Sequence, residues 1–402
     1  MIELLQKLFN GVLYFGTKEG LLCLVMYAIG AVLIYLAIAK DYEPNLLLPI
    51  GFGAILANLP PAFYDAFGQG FPGVIGTAEE PGFLQVLFNA GIASELFPIL
   101  IFIAVGAMID FGPLLKNPYM IFFGAAAQFG IFATFLLALA VTPLAGITDP
   151  DIRVKLSAAI GIIGAADGPT TIYVANLFKL GKYIAPITVA AYSYMAMVPI
   201  IQPPVIRLLT SRKERLIRME YREDSVSKTA KIIFPIAITI IAGVLVPMSA
   251  ALVGSLMFGN LIRECGVLDK LSRAAQNELS SLVTILLGIT IGATMRASDF
   301  LALETLLILL LGLGAFVFDT AGGVLFAKLF NLFLKKKINP MIGAAGISAF
   351  PMSARVIQKM AKDEDPTNFV LMQSISANVA GQLGSIVAGG IIIALVAMFF
   401  TV

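Results

Sequence analysis

The chain has 402 residues, of which 59% are hydrophobic and 13% are charged, and it contains no histidine. Soluble domains are typically ~45–50% apolar and ~25% charged, so this composition excludes an ordinary soluble enzyme. The formal net charge of +2 is too small to indicate a nucleic-acid partner. Without histidine, any proton or metal chemistry is expected to use carboxylates, tyrosine, lysine, arginine or main-chain oxygens.

Long uncharged stretches indicate that the chain crosses a bilayer several times. A helix of ~20 apolar residues is enough to span the hydrocarbon core. Stretches without Asp, Glu, Lys or Arg are residues 20–39, 117–148, 183–206, 232–262 and 366–402. We therefore predict an all-α polytopic membrane protein.

The first half, residues 1–206, is predicted to form one membrane repeat. A short glycine-rich segment at 46–58 has the length of a re-entrant helix, and the Gly/Pro-rich insertion at 60–83 is expected to form an extramembrane flap. A helix ending in GAMIDFG (106–112), a long apolar helix and an interrupted segment around Asp167 follow.

Asp167 is the only charged residue in the run 156–178. A carboxylate at that depth costs ~2.5–3.5 kcal/mol on insertion scales, which makes it a functional candidate. Gly168 and Pro169 interrupt the helix beside it, so carbonyl oxygens of the preceding turn lose their usual N–H partners. The pattern predicts a site for Na+, another hard cation or a proton. The structural alternative is a kink in which Asp167 caps the second half-helix.

Residues 207–231 form a basic linker between the halves. They contain eight Lys and Arg residues between two apolar segments, and this excess places the linker in the cytoplasm. Residues 232–402 then resemble the first half, because GATMRASDF (292–300) corresponds to GAMIDFG and GAAGISAFP (343–351) corresponds to GIIGAADGP (161–169). We predict two repeats, expected to be inverted, whose paired broken helices form an elevator-like core that moves against a scaffold.

Two charged features of the second half concern topology and pairing. Asp319 lies in a largely apolar helix, where it is expected either to be a further buried acid or to pair with Lys328. Inverted repeats would place Lys335, Lys336 and Lys337 on the non-cytoplasmic side, which conflicts with the positive-inside tendency.

The interrupted segment of the second half contains no acid. Asn339 and Ser348 are expected to offer oxygen ligands there, and Arg355 could hold a carboxylate through two hydrogen bonds. The alternative for Arg355 is an interfacial anchor that snorkels. On the following helix, Asn378 and Ser385 lie on one face, where they either contribute oxygens to an ion site or form a packing seam.

Enzyme motifs are missing from the chain. It has neither a phosphate-binding loop nor a dinucleotide-binding glycine turn, so ATP hydrolysis is not expected.

Four long segments resemble the beta subunits of the sodium-pumping, biotin-dependent decarboxylases. That family includes the oxaloacetate, methylmalonyl-CoA and glutaconyl-CoA decarboxylases, and the resemblance covers nearly the whole chain. The segments are GIIGAADGPTTIY (161–173), VAAYSYMAMVPIIQPP (189–204), INPMIGAAGISAFPMSARV (338–356) and DPTNFVLMQSISANVAGQLGS (365–385).

The resemblance implies a subunit of the bacterial cytoplasmic membrane that decarboxylates carboxybiotin. A biotin carrier subunit supplies the carboxybiotin in trans, a proton is consumed, and CO2 release drives Na+ outward. The implied partners are a carboxyltransferase alpha subunit, the biotin carrier and a small membrane gamma or delta subunit, within a homo-oligomeric complex. Site residues implied by the family are Asp167, Asn378 and Ser385 for Na+, Asp167, Tyr194 and Arg355 for catalysis, and Arg355, Asn339 and Ser348 for carboxybiotin.

Composition and repeats alone leave a second function open, that of an autonomous secondary carrier such as a Na+/H+ antiporter or an organic-anion transporter.

The sequence departs from the family pattern at two places. Ser376 and Ala377 stand where the family more usually has Gly-Pro before the asparagine, and the insertion at 60–83 is shorter than in the oxaloacetate members. Both departures favour a CoA thioester over oxaloacetate as the substrate of the complex.

Overall fold

The structure, a computed structural model, describes residues 12–41, 43–60, 81–219 and 226–400, so the predicted flap at 60–83 lies almost entirely outside the described residues. The described part is helical and contains no β-strand. Its longer helices are α1 (Lys18–Lys40), α2 (Pro44–Ala57), α3 (Leu96–Met108), α4 (Ile121–Ala127), α5 (Phe129–Val141), α6 (Pro150–Ile163), α7 (Gly168–Leu177), α8 (Ile184–Ala196), α9 (Val198–Leu209), α10 (Lys228–Leu245), α11 (Ala250–Glu264), α12 (Ser280–Ala293), α13 (Leu303–Phe333), α14 (Met352–Glu364) and α15 (Leu371–Ala397). Shorter helical segments are Phe83–Leu87, Phe88–Ala93, Gly112–Lys116, Pro118–Met120, Thr142–Ala145, Gly181–Tyr183, Arg212–Arg215, Pro247–Ser249, Asp269–Ala274, Ala275–Leu279, Ala297–Phe300 and Met341–Ala344.

Six helical spans in the described chain are long and apolar enough to cross a membrane, and two bent helix pairs raise the number to eight if each pair counts as one span. The prediction of an all-α polytopic membrane protein is confirmed. Helix α9 extends to Leu209 and α10 begins at Lys228, so the ends of both helices reach into the predicted linker 207–231.

Helix α13 crosses the whole membrane region and defines its two faces. Near its start, Glu304 pairs with Lys182 at 2.7 Å, and near its end, Lys328 pairs with Glu214 at 3.1 Å. At a rise of 1.5 Å per residue, the two ion pairs lie ~36 Å apart along the helix. We call the face at Glu214 the linker face and the face at Lys182 the opposite face. Of the two alternatives for Asp319, a buried acid is confirmed and pairing with Lys328 is wrong, because the Lys328 side chain extends to the linker.

The lysine triplet 335–337 lies on the linker face. Asn339, two residues beyond it, donates hydrogen bonds from Nδ2 to the main-chain oxygens of Arg215 (2.8 Å) and Ile217 (3.0 Å). The expectation that these lysines lie on the non-cytoplasmic side is wrong, because the 31-residue α13 crosses fully and returns the chain to the linker. The described basic residues of the linker and the triplet therefore share one face, as the positive-inside tendency requires.

The first interrupted segment, α6 followed by α7, begins and ends at the opposite face. Helices α4 and α5 lead to it from the linker face, where Phe123 packs against Phe326 and Phe330 with ring centroids 5.3 and 5.6 Å apart. The chain turns at Thr142–Ala145 and enters α6. After α7 it returns to the same face, since Lys182 follows within a few residues and pairs there.

The second interrupted segment begins and ends at the linker face. It starts at Asn339, continues through Met341–Ala344 and α14, and ends at Glu364, whose Oε1 lies 2.6 Å from Nε of Arg215. The two interrupted segments therefore enter the membrane region from opposite faces and meet inside it.

Glycines allow the short helices α2 and α11 to pack backbone against backbone. A Cβ atom on Gly53 of α2 would lie 2.3 Å from the carbonyl oxygen of Ile289 in α12, and one on Gly259 of α11 would lie 2.0 Å from that of Ile103 in α3. No side chain fits at such distances, so α2 and α11 are each held close to a helix from the other half of the chain.

Candidate functional site

Asp167 caps the N-terminus of α7 at the centre of the first interrupted segment. Its side chain is only 3% exposed. Oδ1 accepts a hydrogen bond from the main-chain N–H of Thr170 (3.2 Å), and Oδ2 accepts one from Thr170 Oγ1 (2.7 Å). The sequence dictates this geometry, because Pro169 at the start of α7 has no N–H and Asp is a preferred capping residue.

Helix α15 supplies the other contacts of the Asp167 carboxylate. Ser385 Oγ donates to Oδ2 at 2.7 Å, and Gln382 Nε2 lies 3.5 Å from the same oxygen. Every donor is neutral, and none of the ion pairs among the described residues includes Asp167. A buried carboxylate without a charged partner is costly, so the site favours a bound cation or proton in addition to the cap.

The two interrupted segments touch each other beside Asp167. The main-chain N–H of Ser348 donates to the carbonyl oxygen of Ala165 at 2.8 Å. Asn378 of α15 donates from Nδ2 to the carbonyl oxygen of Ile347 at 2.6 Å. Seven residues further on, Ser385 contacts the first segment, so one face of α15 holds both interruptions together.

Two further buried side-chain oxygens lie at this junction, Ser348 Oγ and Asn378 Oδ1, on residues 3% and 0% exposed. Among the described residues, Asn378 Oδ1 has no hydrogen-bond partner, while Ser348 Oγ interacts with the Asp167 carboxylate. Side-chain oxygens beside a carboxylate form the type of donor set that hard cations prefer. The structure thus brings together Asp167, Ser348, Asn378 and Ser385 of the predicted site residues.

Of the two tyrosines on α8, Tyr192 and not Tyr194 lies against the first interruption. A Cβ atom on Gly168 would lie 2.3 Å from the Tyr192 ring, and the Tyr192 hydroxyl is buried without a hydrogen-bond partner in the described segments. The hydroxyl of Tyr194 instead donates to the carbonyl oxygen of Leu309 in α13. Residues two positions apart on a helix point about 200° apart, so only one of them can face Asp167, and the sequence does not indicate which.

Arg355 and Asn339 lie away from this junction. Asn339 is engaged with the linker backbone at the linker face. Arg355 is exposed on the first turns of α14 and forms no ion pair within 4 Å in the part of the chain that the structure describes. Glu43, just before α2, is close enough to interact with it electrostatically.

Comparison of the sequence with known proteins assigns the chain to a family. The family model for the Na+-transporting oxaloacetate decarboxylase beta subunit matches residues 23–396. The chain belongs to this family. It is 46% identical to the methylmalonyl-CoA decarboxylase subunit beta of Propionigenium modestum, over 98% of this chain and 100% of that protein. It is 47% identical to the glutaconyl-CoA decarboxylase subunit beta of Acidaminococcus fermentans (92% of each chain) and 44% identical to the oxaloacetate decarboxylase beta chain 2 of Salmonella typhi (95% of this chain, 96% of that one).

Membership of the beta-subunit family confirms the resemblance drawn from the four segments and favours a decarboxylase subunit over an autonomous carrier. It also agrees with the multi-pass membrane fold. Gln382 is a site residue that sequence reasoning missed, although it lies one turn from Asn378 and three residues before Ser385 and was therefore visible in the same helical pattern.

A row of exposed cations on α14 is a second feature of this beta subunit that sequence reasoning missed. Arg355, Lys359 and Lys362 are all exposed and spaced four and three residues apart, so they form one stripe, which we call the α14 stripe. The hydrogen bond from Arg215 lowers the pKa of Glu364 at the end of α14 and fixes that end at the linker face. Arg355 lies nine residues before Glu364, ~14 Å further into the membrane region.

Proposed function

We propose that this chain decarboxylates carboxybiotin carried by a biotin carrier subunit and couples the reaction to Na+ transport out of the cytoplasm. The bond between the biotin nitrogen and the carboxylate carbon breaks, the nitrogen takes up one proton, and CO2 leaves. The observation that carries the proposal is the buried Asp167 carboxylate, held only by neutral donors where the two interrupted segments meet, in a family named for Na+ transport.

The proposed Na+ ligands are grouped around Asp167. Its carboxylate supplies the negative charge, while Ser348 Oγ and Asn378 Oδ1 are further buried oxygens at the junction. Ser385 orients the carboxylate through its 2.7 Å hydrogen bond. All of these groups lie on the two interruptions or on α15, so binding and release of Na+ would change how α15 is held against the interruptions.

The α14 stripe supports a route for carboxybiotin from the linker face. Three cations facing lipid along a membrane-embedded helix would be strongly unfavourable, so the stripe is expected to border water or a partner protein. Lys359 and Lys362 would attract the carboxylate, and Arg355 at the inner end would bind it through two hydrogen bonds. Asn339 serves this route as a positioning residue that anchors the start of the second interrupted segment to the linker.

Proton transfer to the biotin nitrogen would use a group near Asp167. The family resemblance points to Tyr194, but Tyr192 is the tyrosine with a free hydroxyl beside the first interruption. We therefore propose Tyr192 as the proton-transfer tyrosine and Tyr194 as a residue that ties α8 to α13.

Interrupted segments that enter from opposite faces support a pair of inverted repeats. In this proposal the interruptions, α13 and α15 form the moving core, and the packed pairs α2 with α12 and α3 with α11 form the scaffold. The basic linker face lies in the cytoplasm. The carboxyltransferase alpha subunit and the biotin carrier would act at that face, the small gamma or delta subunit would bind within the membrane, and the complex would be homo-oligomeric.

The test is Na+ uptake into vesicles that contain the reconstituted decarboxylase complex. Wild type is expected to accumulate Na+ when substrate is added and to stop when avidin sequesters biotin. Asp167→Asn should abolish both uptake and decarboxylation, whereas Asp269→Asn, a change to an exposed carboxylate, should leave both intact. Uptake that continues unchanged with avidin would contradict the proposal, and copurification without any biotinylated protein would support an autonomous carrier.

The acyl substrate of the complex is a separate question. Identities of 46% to a methylmalonyl-CoA enzyme and 44% to an oxaloacetate enzyme are too similar to distinguish the two substrates. A separate carboxyltransferase subunit would bind the acyl group. From the departures at residues 60–83 and 376–377, we propose that the substrate of the complex is a CoA thioester. Assaying the complex with each substrate in turn decides the question.

A further inference from the structure

Glu43 is a half-buried carboxylate at the start of α2. Its main-chain oxygen accepts hydrogen bonds from the N–H groups of Leu46 and Leu47, but its side chain does not cap the helix. None of the ion pairs among the described residues includes it. Its φ of 38° lies in the left-handed region, which is unfavourable for residues other than glycine, so the backbone gives no reason for a glutamate here. The side chain is therefore expected to have a role outside α2.

Glu43 and Arg355 lie at a similar depth in the membrane region. The end of α2 is fixed at the opposite face, because Asn58 donates to the carbonyl oxygen of Met295 (2.7 Å) and accepts from the N–H of Ala297 (2.8 Å), just before α13 begins there. Along α2, Glu43 lies ~22 Å from Asn58, which leaves ~14 Å of the ~36 Å between the two faces. Arg355 is also ~14 Å from the linker face.

Helices α8 and α9 connect the start of α2 to the start of α14. Leu47, in the first turn of α2, packs with Ala196 at the end of α8. Helix α9 follows directly, and its Gln202 accepts a hydrogen bond from Ser353 Oγ at 3.0 Å. Ser353 comes two residues before Arg355. The guanidinium of Arg355 is thus brought close enough to interact electrostatically with the carboxylate that precedes α2.

The two charges attract each other without forming a direct ion pair. No contact within 4 Å joins Glu43 to Arg355, so the N–H groups of the guanidinium remain available to another carboxylate. Glu43 is half-buried, where charges are screened less than in bulk water. A carboxylate that binds Arg355 therefore competes with Glu43 for the same positive charge and is repelled by it.

We propose that Glu43 is a positioning residue for carboxybiotin, which holds Arg355 until the carboxylate of the substrate replaces it. This proposal rests on the proposed function, in which Arg355 binds that carboxylate. Glu43 lies on the scaffold helix α2, whereas Arg355 lies on the second interrupted segment, a part of the moving core. Their attraction holds the core to the scaffold while the site is empty, and the exchange of carboxylates releases it. Movement of Na+ is thereby limited to the loaded site.

Glu43→Gln tests this exchange in the reconstituted complex, because glutamine has a similar size and no charge. KM for the carboxylated carrier should fall several-fold while kcat stays the same or falls, since the competing carboxylate is gone. Exchange of radioactive Na+ across the vesicle membrane without substrate should rise several-fold, since the empty core is no longer held. Asp41→Asn, which removes an exposed carboxylate two residues earlier, is the matched control and should change neither quantity.

Three results overturn the role of Glu43. The first is a KM or a substrate-independent Na+ exchange in Glu43→Gln that does not change in the expected direction. The second is an equal change in Asp41→Asn. The third is a wild-type complex that exchanges Na+ without substrate as fast as during turnover, a measurement that does not depend on any variant folding. The proposed function fails separately, because wild type would then show no avidin-sensitive uptake of Na+ with substrate.

Discussion

Replacing Ser385 with alanine removes one of the donors to the Asp167 carboxylate without adding atoms. The lost contact is the 2.7 Å hydrogen bond from Oγ to Oδ2, while Thr170 continues to donate to both carboxylate oxygens. Hydrogen bonds to charged groups contribute ~1.5–3 kcal/mol, and each 1.4 kcal/mol is a factor of about ten in an equilibrium constant. Since the Thr170 contacts remain, we expect the loss of binding free energy to be near the lower limit of this range. That loss corresponds to a roughly tenfold increase in the Na+ concentration for half-maximal activity.

The assay is Na+-activated decarboxylation by the purified complex over a range of Na+ concentrations at fixed ionic strength. Ser376→Ala is the matched control, because Ser376 lies on the same helix, is equally buried and donates only to the carbonyl oxygen of Met372. A Ser385→Ala complex with half-saturation within twofold of wild type would refute the reasoning, as would an equal shift in the control.

Three further predictions follow from the contacts of α14, α15 and the linker face. Changing Lys359 and Lys362 together to alanine should raise KM for the carboxylated carrier several-fold at low salt and much less at high salt. The Na+ concentration for half-saturation should stay unchanged. Steady-state kinetics at two ionic strengths would show both results. Gly381→Ala would place a Cβ atom 2.0 Å from a main-chain oxygen of the second interruption, so thermal unfolding should show destabilisation of ~1–3 kcal/mol. Gly314→Ala is the control, because a Cβ atom there would have nothing within 4 Å and should cause no destabilisation. Hydrogen bonds from neighbouring threonine and arginine side chains lower the pKa of Asp365 to about 2. Because its folded pKa is below the unfolded value of ~3.9, its contribution to stability is complete above that value and is lost as the pH falls towards 2. Asp365→Asn should therefore destabilise the protein more at pH 6 than at pH 2, as thermal unfolding at the two pH values would show.

The class of the protein and its chemistry could be predicted from the sequence because they depend on composition and local pattern. Uncharged stretches longer than ~20 residues have few structural solutions other than membrane-spanning helices. A lone acid beside Gly-Pro in such a stretch identifies Asp167 as a candidate, because the cost of burying a charge is set by the medium and not by the details of packing. The absence of histidine likewise restricts the proton chemistry to the other titratable side chains, because composition alone limits which side chains can carry a proton.

The tertiary structure decided which of these residues meet, because contacts between distant segments depend on helix rotation and on the face from which each segment enters. It brought Ser385 and Asn378 to the two interruptions, turned Tyr192 instead of Tyr194 towards Asp167, and placed Asn339 at the linker. It also assigned Lys328 to the linker, which leaves Asp319 buried without a counter-charge from any residue that the structure describes. A helical pattern gives the relative direction of side chains along one helix, but the partner that each side chain meets is determined only when the helices pack.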